Sequence, residues 1–482
     1  MLFNTLAFAA FLLAVFLLYW FVYTNRIKAQ NRLLLVSSYF FYACWDYRFA
    51  FLLLFSTVLD YFTGLKMEQS DNTATRKSWF WTSVGINLGF LGIFKYYNFF
   101  IDSISDTLSI VGVQTQFSTL QVILPVGISF YTFHGLSYVI DIYKKKIAAE
   151  RNFVDYAVFV SFFPLLVAGP IERATHLLPQ IQRKRDFDTA KIVDGLRQIL
   201  WGLFKKVVIA DNCATLANDI FAHSDTYNGS TLALGALFFS FQIYGDFSGY
   251  SDIALGTARL FGVELLQNFA FPYFARDIAE FWRKWHISLS SWFRDYLYIP
   301  LGGSKGSTST KVRNTFIIFL VSGFWHGANW TFIVWGGLHA IFFLPLLLFN
   351  KNRTHLTTVA EGRILPSVTE FLQIISTFAL TTLAWIFFRA DSVTQAFTIL
   401  KTIASKSLLQ TPVFENRANA LITLALIFVF MTIEWLGRTQ KFAIANIAAH
   451  LPKGARYAAY YILIIFIFYF AGSTQNFIYF QF

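Results

Sequence analysis

The chain has 482 residues, of which 56% are hydrophobic and only 14% charged, with a mean hydropathy of +0.51. Soluble globular domains carry about 25% charged residues, so this composition cannot clothe a water-exposed surface and excludes an ordinary soluble protein. The net charge of +12 does not point to nucleic acid, because the basic residues lie in short runs between apolar segments, as the positive-inside rule requires. Aromatic residues make up 20% of the chain, with 58 Phe and 23 Tyr, which suits lipid contact and interfacial belts. Cys44 and Cys213 are the only cysteines. They belong to no Cys/His cluster, so neither a disulfide framework nor a metal site is expected.

In chain order, the first apolar run, 2–23, is too long for a signal-peptide core and has no basic residues before it. Arg26, Lys28 and Arg32 follow it, so it is expected to be a retained span with Met1 outside and Arg26 in the cytoplasm. A span needs about 20 mainly apolar residues. Runs 50–65, 79–101, 328–349, 372–388, 420–436 and 457–470 are the other clear candidates. Runs 33–44, 122–140, 153–167, 193–210, 232–244 and 315–324 are shorter or interrupted by Gly, Pro and polar residues. Broken segments persist at membrane depth only where they are buried in protein or line a cavity. The middle third therefore reads as a functional core wrapped by smoother helices, with about ten to twelve spans in all. No internal repeat and no long linker divides the chain, so 1–482 is expected to be one domain. Asp60, Lys95, Asp246, Asp252, Arg389 and Glu434 fall in or near apolar runs and are expected mostly to be paired internally or to snorkel.

The chemistry concentrates in two stretches. On a helix over 276–296, every charge falls within roughly 60° of Glu280, and the opposite face is aromatic and apolar. Such a helix lies in an interface or packs its aromatic face inward. His286 falls at the edge of that aromatic face. The second stretch is Val321-Ser322-Gly323-Phe324-Trp325-His326-Gly327-Ala328-Asn329-Trp330. There a histidine sits among apolar and aromatic residues with glycines on either side, which allow close approach of backbone or substrate. Ser322 and Asn329 would share its helical face and could fix its tautomer. Each histidine admits two readings at this point: a proton-transfer group near neutral pH, or a core histidine satisfied by its neighbours. His339, on the opposite face of the same expected helix, is left out of the site. Among catalytic signatures, the sequence has no Gly-x-Ser-x-Gly elbow, no His-Glu-x-x-His and no Walker loop.

Several longer motifs then combine. They are LPVGISFYTFHGLSYVIDIY from Leu124, FFPLLVAGPIER from Phe162 and IYGDFSGYSDIALG from Ile243. FWRKWHISLSSWFRDYLYIPLGGS from Phe281, RNTFIIFLVSGFWHGANWTFIVWGGLH from Arg313 and WIFFRADS from Trp385 follow, with FIYFQF at 477–482. In this order they resemble the membrane-bound O-acyltransferase (MBOAT) superfamily, most nearly its alginate O-acetylation (AlgI-like) branch, with the D-alanyl-lipoteichoic-acid (DltB-like) branch more distant. The resemblance implies an all-α polytopic membrane protein, a ring of about eleven tilted helices with re-entrant and interfacial helices around a central tunnel. His326 matches the family's catalytic histidine, and His286 matches the second signature position, which other branches fill with Asn.

The implied activity is acyl transfer, in a bacterial inner membrane, from a cytoplasmic thioester to hydroxyls of an exported polysaccharide or to an extracytoplasmic carrier. His326 would be the base, and His286 would orient the donor or stabilise the oxyanion. Ser322, Trp325 and Asn329 would line the substrate position. Arg283 and Lys284, with Arg276, would favour the phosphates of a donor such as acetyl-CoA or an acyl carrier. No tightly bound cofactor is implied, and a separate SGNH-type transferase is an expected partner. Two other functions compete: a flippase of lipid-linked glycan, and a silent scaffold that recruits an exported transferase. A flippase has no evident need of a buried base in a Phe-Trp-His-Gly turn.

Overall fold

The computed structural model describes residues 1–114, 119–120, 123–167, 169–447, 451–472, 475 and 477–480. Val122 at the head of the run 122–140, Ala168 in the motif from Phe162, and Gln481 and Phe482 of FIYFQF lie outside the described residues. Among the described residues every regular element is helical, as expected, and the chain forms two compact units.

The first unit comprises Met1–Ile192 and Ala258–Leu266. Its helices are α1 (Leu6–Leu17), α2 (Ile27–Ala43), α3 (Tyr47–Gln69), α4 (Thr73–Leu91), α5 (Tyr97–Ile110), α6 (Ile128–Tyr143), α7 (Phe153–Ser161) and α8 (Ala174–Gln182). Asp46 and Asn72 start α3 and α4 by accepting bonds from Arg48 N and Ala74 N. A π-helical turn, Gly92–Tyr96, carries α4 on into α5. Helices α3, α4 and α6 pack together around Asp60, whose carboxylate accepts from Ser83 Oγ at 2.6 Å and Asn87 Nδ2 at 2.8 Å. The segment 258–266 is tied in by Trp20 Nε1, which donates to Leu260 O at 2.8 Å, and by Leu266 N, which donates to the buried Glu172 at 2.6 Å. Phe51, Phe55, Phe62 and Trp81 face outward on α3 and α4, a surface suited to lipid tails.

The second unit comprises Val193–Thr257 and Gln267–Phe482. Helix α9 (Thr189–Leu203) continues through a π-helical turn, Phe204–Ala210, into α10 (Asp211–Ala222), and α11 (Gly229–Leu260) follows with 32 residues. Two short helices come next, α12 (Ile278–Lys284) and α13 (Ile287–Phe293). After them are α14 (Thr308–His326), α15 (Trp330–Leu348), α16 (Val368–Arg389), α17 (Val393–Ile403), α18 (Arg417–Leu436) and α19 (Lys453–Tyr469). All seven of the smooth apolar runs are helices.

The expected interruption after 232–244 is absent: α11 runs straight through Gly245, Asp246 and Gly249. Those small residues are a helix interface. A methyl group on Gly249 would stand 2.8 Å from Gly202 O, and one on Gly256 would stand 2.5 Å from Gly195 O, so α9 and α11 meet nearly backbone to backbone. Among the described residues, five helical stretches are long and apolar enough to cross a membrane: Tyr47–Gln69, Thr73–Ile110, Trp330–Leu348, Val368–Arg389 and Arg417–Leu436. Interior helices such as α11 fall outside that set because their glycines, serines and carboxylates lower their hydropathy.

Removing the Asp60 carboxylate should leave the Ser83 hydroxyl and one Asn87 N–H without that acceptor, while Asn87 keeps its bonds to Ser83 O and Ser56, at a cost of about 1–3 kcal/mol. Asp60→Ala is therefore expected to lower the thermal unfolding midpoint of the detergent-solubilised protein. Ser83→Ala, which keeps the Asn87 bond, should lower it less. An unchanged midpoint in Asp60→Ala would show that this buried cluster does not hold the three helices together.

Candidate active site

His286 does not lie on a continuous helix. The helix expected over 276–296 breaks at Trp285–His286, and His286 adopts φ 44° and ψ 54°, the left-handed region. A side chain other than Gly, Asn or Asp pays for that conformation, about 1–3 kcal/mol where it is strained, so the surroundings must impose it. They do so through the irregular segment 268–270. Ala270 N donates to Lys284 O at 3.0 Å and Ile287 N to Asn268 O at 2.9 Å. Ser288 Oγ donates to Asn268 Oδ1 at 2.6 Å. The turn swings the imidazole fully inside, with 0% of its surface exposed.

His326 ends α14, and Gly327 leaves the helix in an extended conformation. Asn329 therefore does not share a helical face with His326, as a continuous helix would have required. It caps α15 by accepting from Thr331 N, and its amide donates to Asp391 O at 3.2 Å. Ser322, one turn before His326 on α14, is buried beside it in sequence and face. The position of His326 depends on how tightly α14 and α15 pack. A side chain on Gly323 would overlap Phe332 O, and one on Gly336 would overlap Phe319 O.

The structure brings the two histidines together, with ring centroids 6.2 Å apart. Around His326 stand Trp325 at 5.0 Å, Trp335 at 5.1 Å, Phe388 at 5.4 Å and Tyr479 at 5.7 Å. Phe247 lies 4.6 Å from His286 and 4.7 Å from Tyr479. Two imidazoles thus share one aromatic enclosure, where a proton can be taken and a developing charge met by a nitrogen donor with little competition from water. Phe247, Trp335, Phe388 and Tyr479 were not singled out by sequence, although all four lie in the quoted motifs. Those motifs name the residues but not which of them converge.

Arg283 and Lys284 are not part of this enclosure. They gather with Arg276 where α12 packs on α15. Arg283 donates to Asn352 O at 2.8 Å and His355 O at 2.7 Å, just beyond the far end of α15 from His326. Nineteen residues of helix amount to roughly 28 Å. Glu280, buried to 1% exposure, bonds Arg276 at 3.0 Å and Lys284 at 2.8 Å, and Arg276 also reaches Glu370 at 3.6 Å. Burial works against the Glu280 charge, yet Arg276 and Lys284 outweigh it and hold the carboxyl below its ordinary range. The three cations are thus largely occupied by protein groups. His339 is a core residue, fully buried and accepting from Trp282 Nε1 at 3.2 Å. A recess lined by Trp201, Lys205, Tyr244, Asp252, Asn268 and Glu434 holds two further polar pairs. They are Lys205 with Asp252 at 2.5 Å and Tyr244 with Glu434 at 2.5 Å.

The family model of MBOAT, the membrane-bound O-acyltransferase family, matches residues 144–384, a stretch that holds both histidines and crosses both units. The chain belongs to this family. The probable alginate O-acetylase AlgI of Pseudomonas aeruginosa is 38% identical over 461 residues, covering 94% of this chain and 85% of that protein. The peptidoglycan O-acetyltransferase of Helicobacter pylori is 34% identical over 533 aligned positions, covering 100% of this chain and 98% of its own length. A teichoic acid D-alanyltransferase of Streptococcus thermophilus is more distant, 30% identical over 230 residues, covering 45% of this chain and 55% of that protein. This MBOAT protein is therefore a multi-pass membrane enzyme that transfers acyl groups to oxygen, and the flippase and silent-scaffold readings give way.

The left-handed backbone at His286 orders its substitutions. Asn accepts that conformation readily and keeps a hydrogen-bonding group, whereas Leu does neither. His286→Asn is expected to retain measurable acyl transfer, while His286→Leu should fall well below it, by about a hundred- to a thousand-fold from wild type if an oxyanion donor is lost. The comparison requires purified variants with matched unfolding midpoints. Full activity in both would make His286 a structural residue only.

Proposed function

We propose that this MBOAT protein moves an acetyl group from a cytoplasmic thioester, most simply acetyl-CoA, to hydroxyls of an exported polysaccharide or to an extracytoplasmic transferase of the SGNH type. The observation that carries this reading is the pair of buried histidines facing each other inside an aromatic enclosure. The activities named for the AlgI and peptidoglycan relatives support the acetyl group and the class of acceptor. In a bacterial envelope, the cytoplasmic membrane is where such a donor and such an acceptor meet.

In the reaction, an acceptor oxygen attacks the thioester carbonyl and its proton passes to His326. The carbonyl electrons move onto oxygen, where an N–H of His286 meets the charge. The tetrahedral intermediate collapses, the C–S bond breaks, and the thiolate leaves with the proton that His326 returns. Ser322 and Trp325 flank this base, and Asn329 stands at the α14–α15 turn where an acceptor would approach. Arg276, Arg283 and Lys284 shape the donor side mainly by fixing α12, with their remaining field favouring phosphates. The two units act in this reading as one catalytic domain, residues 1–482.

His326→Ala and His326→Gln are expected to reduce acetylation of envelope polysaccharide to background in cells that hold wild-type levels of the protein. In detergent, both should also lose release of CoA thiol from acetyl-CoA. Wild-type acetylation in either variant would remove His326 from the mechanism.

The side on which the donor is met can be read separately. Arg294 is well exposed and should face the cytoplasm with the rest of the basic stretch. In a Cys44→Ser background, Arg294→Cys should resist a membrane-impermeant maleimide in intact cells and react after lysis. Labelling in intact cells would reverse the assigned orientation.

A further inference from the structure

We propose that the buried Lys206–Asp246 ion pair is a positioning device that docks residues 475 and 477–480 so that Tyr479 closes one side of the histidine enclosure. Lys206 lies in the π-helical turn after α9 with 1% of its surface exposed, and Asp246 lies in α11 with 2% exposed. Lys206 Nζ stands 2.8 Å from Asp246 and 2.7 Å from Asp211. Both ends of the Lys206–Asp246 pair also hold the main chain of the segment. Asp246 Oδ2 accepts from Ile478 N at 2.7 Å, and Lys206 Nζ donates to Gln475 O at 3.1 Å.

The residues that flank Ile478 then pack inward. Phe477 lies 4.6 Å from Tyr250, and Tyr479 lies 4.7 Å from Phe247 and 5.7 Å from His326. Phe247 follows Asp246 directly in α11 and itself touches His286. One turn of α11 thus presents a carboxylate that grips the segment's backbone and a phenyl ring that wedges between Tyr479 and His286. A buried ion pair is a poor source of net stability, since desolvation offsets its attraction. Retaining one makes sense where it fixes a geometry, and here that geometry is the wall of the site. Lys206 and Asp246 touch no reacting atom in this arrangement and act through the segment they hold.

The proposal rests on the reading of the histidine pair as the catalytic centre, and the test separates the two. Hydrogen exchange of the full chain in detergent should show the Ile478 amide strongly protected. Asp246→Ala leaves Lys206 paired with Asp211, and it should raise exchange over 477–480 at least tenfold without changing exchange in α14 or α16. It should lower kcat at least tenfold with the KM for acetyl-CoA within twofold. Asp246→Asn, whose amide oxygen can still accept from Ile478 N, should recover most of that loss. The triple change Lys206→Met, Asp211→Asn and Asp246→Leu removes all three charges of the cluster together and should keep the wild-type unfolding midpoint while releasing the segment. Exchange at Ile478 in wild type as fast as in an unfolded chain overturns the proposal. So does a released segment with wild-type kcat, or a kcat loss with the segment still protected. Full activity in His326→Ala would instead overturn the catalytic reading and leave the exchange result to judge the docking.

Discussion

Where α14 and α15 cross, Gly323 and Gly336 leave room for nothing but backbone, and each would drive a side chain into a carbonyl oxygen of the other helix. That approach makes the α14–α15 turn tight enough to hold His326 and Trp335 face to edge. It also brings Asn329 to the end of α16 through its bond to Asp391. The driving force is dispersion rather than the hydrophobic effect, because lipid tails are as apolar as the side chains they would replace. Packing of this kind depends steeply on separation, so the site inherits the precision of two helices in backbone contact. The same solution recurs between α9 and α11 through Gly202, Gly249 and Gly256.

Polar groups inside the protein obey the rule that a buried charge must be paired. Asp60 is satisfied by hydroxyl and amide donors, Asp252 by Lys205 and Gln198, and Glu434 by Tyr244. Arg389 reaches Asn218 and lies over Phe221. These carboxylates and cations join helices, and the internal pairing expected of them from sequence is what is found. His286 and His326, by contrast, are walled mainly by aromatic rings.

Much of this could be read from the chain. The smooth apolar runs became helices because a lipid-facing helix is apolar all round and needs no tertiary information to be recognised. The two histidines could be found because their motifs combine glycine, tryptophan and histidine in ways that a plain span does not. The break at His286 could not be found, because the charge and aromatic periodicity of 276–296 continues across it and the left-handed turn is imposed by Asn268, a residue outside the stretch. Asn329 belongs to the next element for a different reason: Gly327 and Asn329 are a helix stop and an N-cap, and a helical face drawn from His326 through Asn329 ignores both. The continuous course of α11 was hidden because glycine and aspartate lower hydropathy whether they break a helix or pack it. Arg283 and Lys284 were legible as charge but not as occupied charge, since their partners at Asn352, His355 and Glu280 become neighbours only in the folded chain. Phe247 and Tyr479 are separated by more than two hundred residues, and only the fold brings them together.

The cluster of Arg276, Glu280, Lys284 and Glu370 also bears on how the protein responds to its medium. Glu280 and Arg276 are 1% and 8% exposed, so mobile ions cannot come between them. Screening acts over about 8 Å at physiological ionic strength and weakens chiefly those pairs that solvent can reach. Strong salt should therefore dissolve the exposed pairs, such as Arg48 with Asp46 or Arg294 with Asp295, while α12 stays fastened to the start of α16. The protein thus carries electrostatics of two kinds: an outer set that follows the ionic strength of its surroundings, and an inner set that responds to it far less.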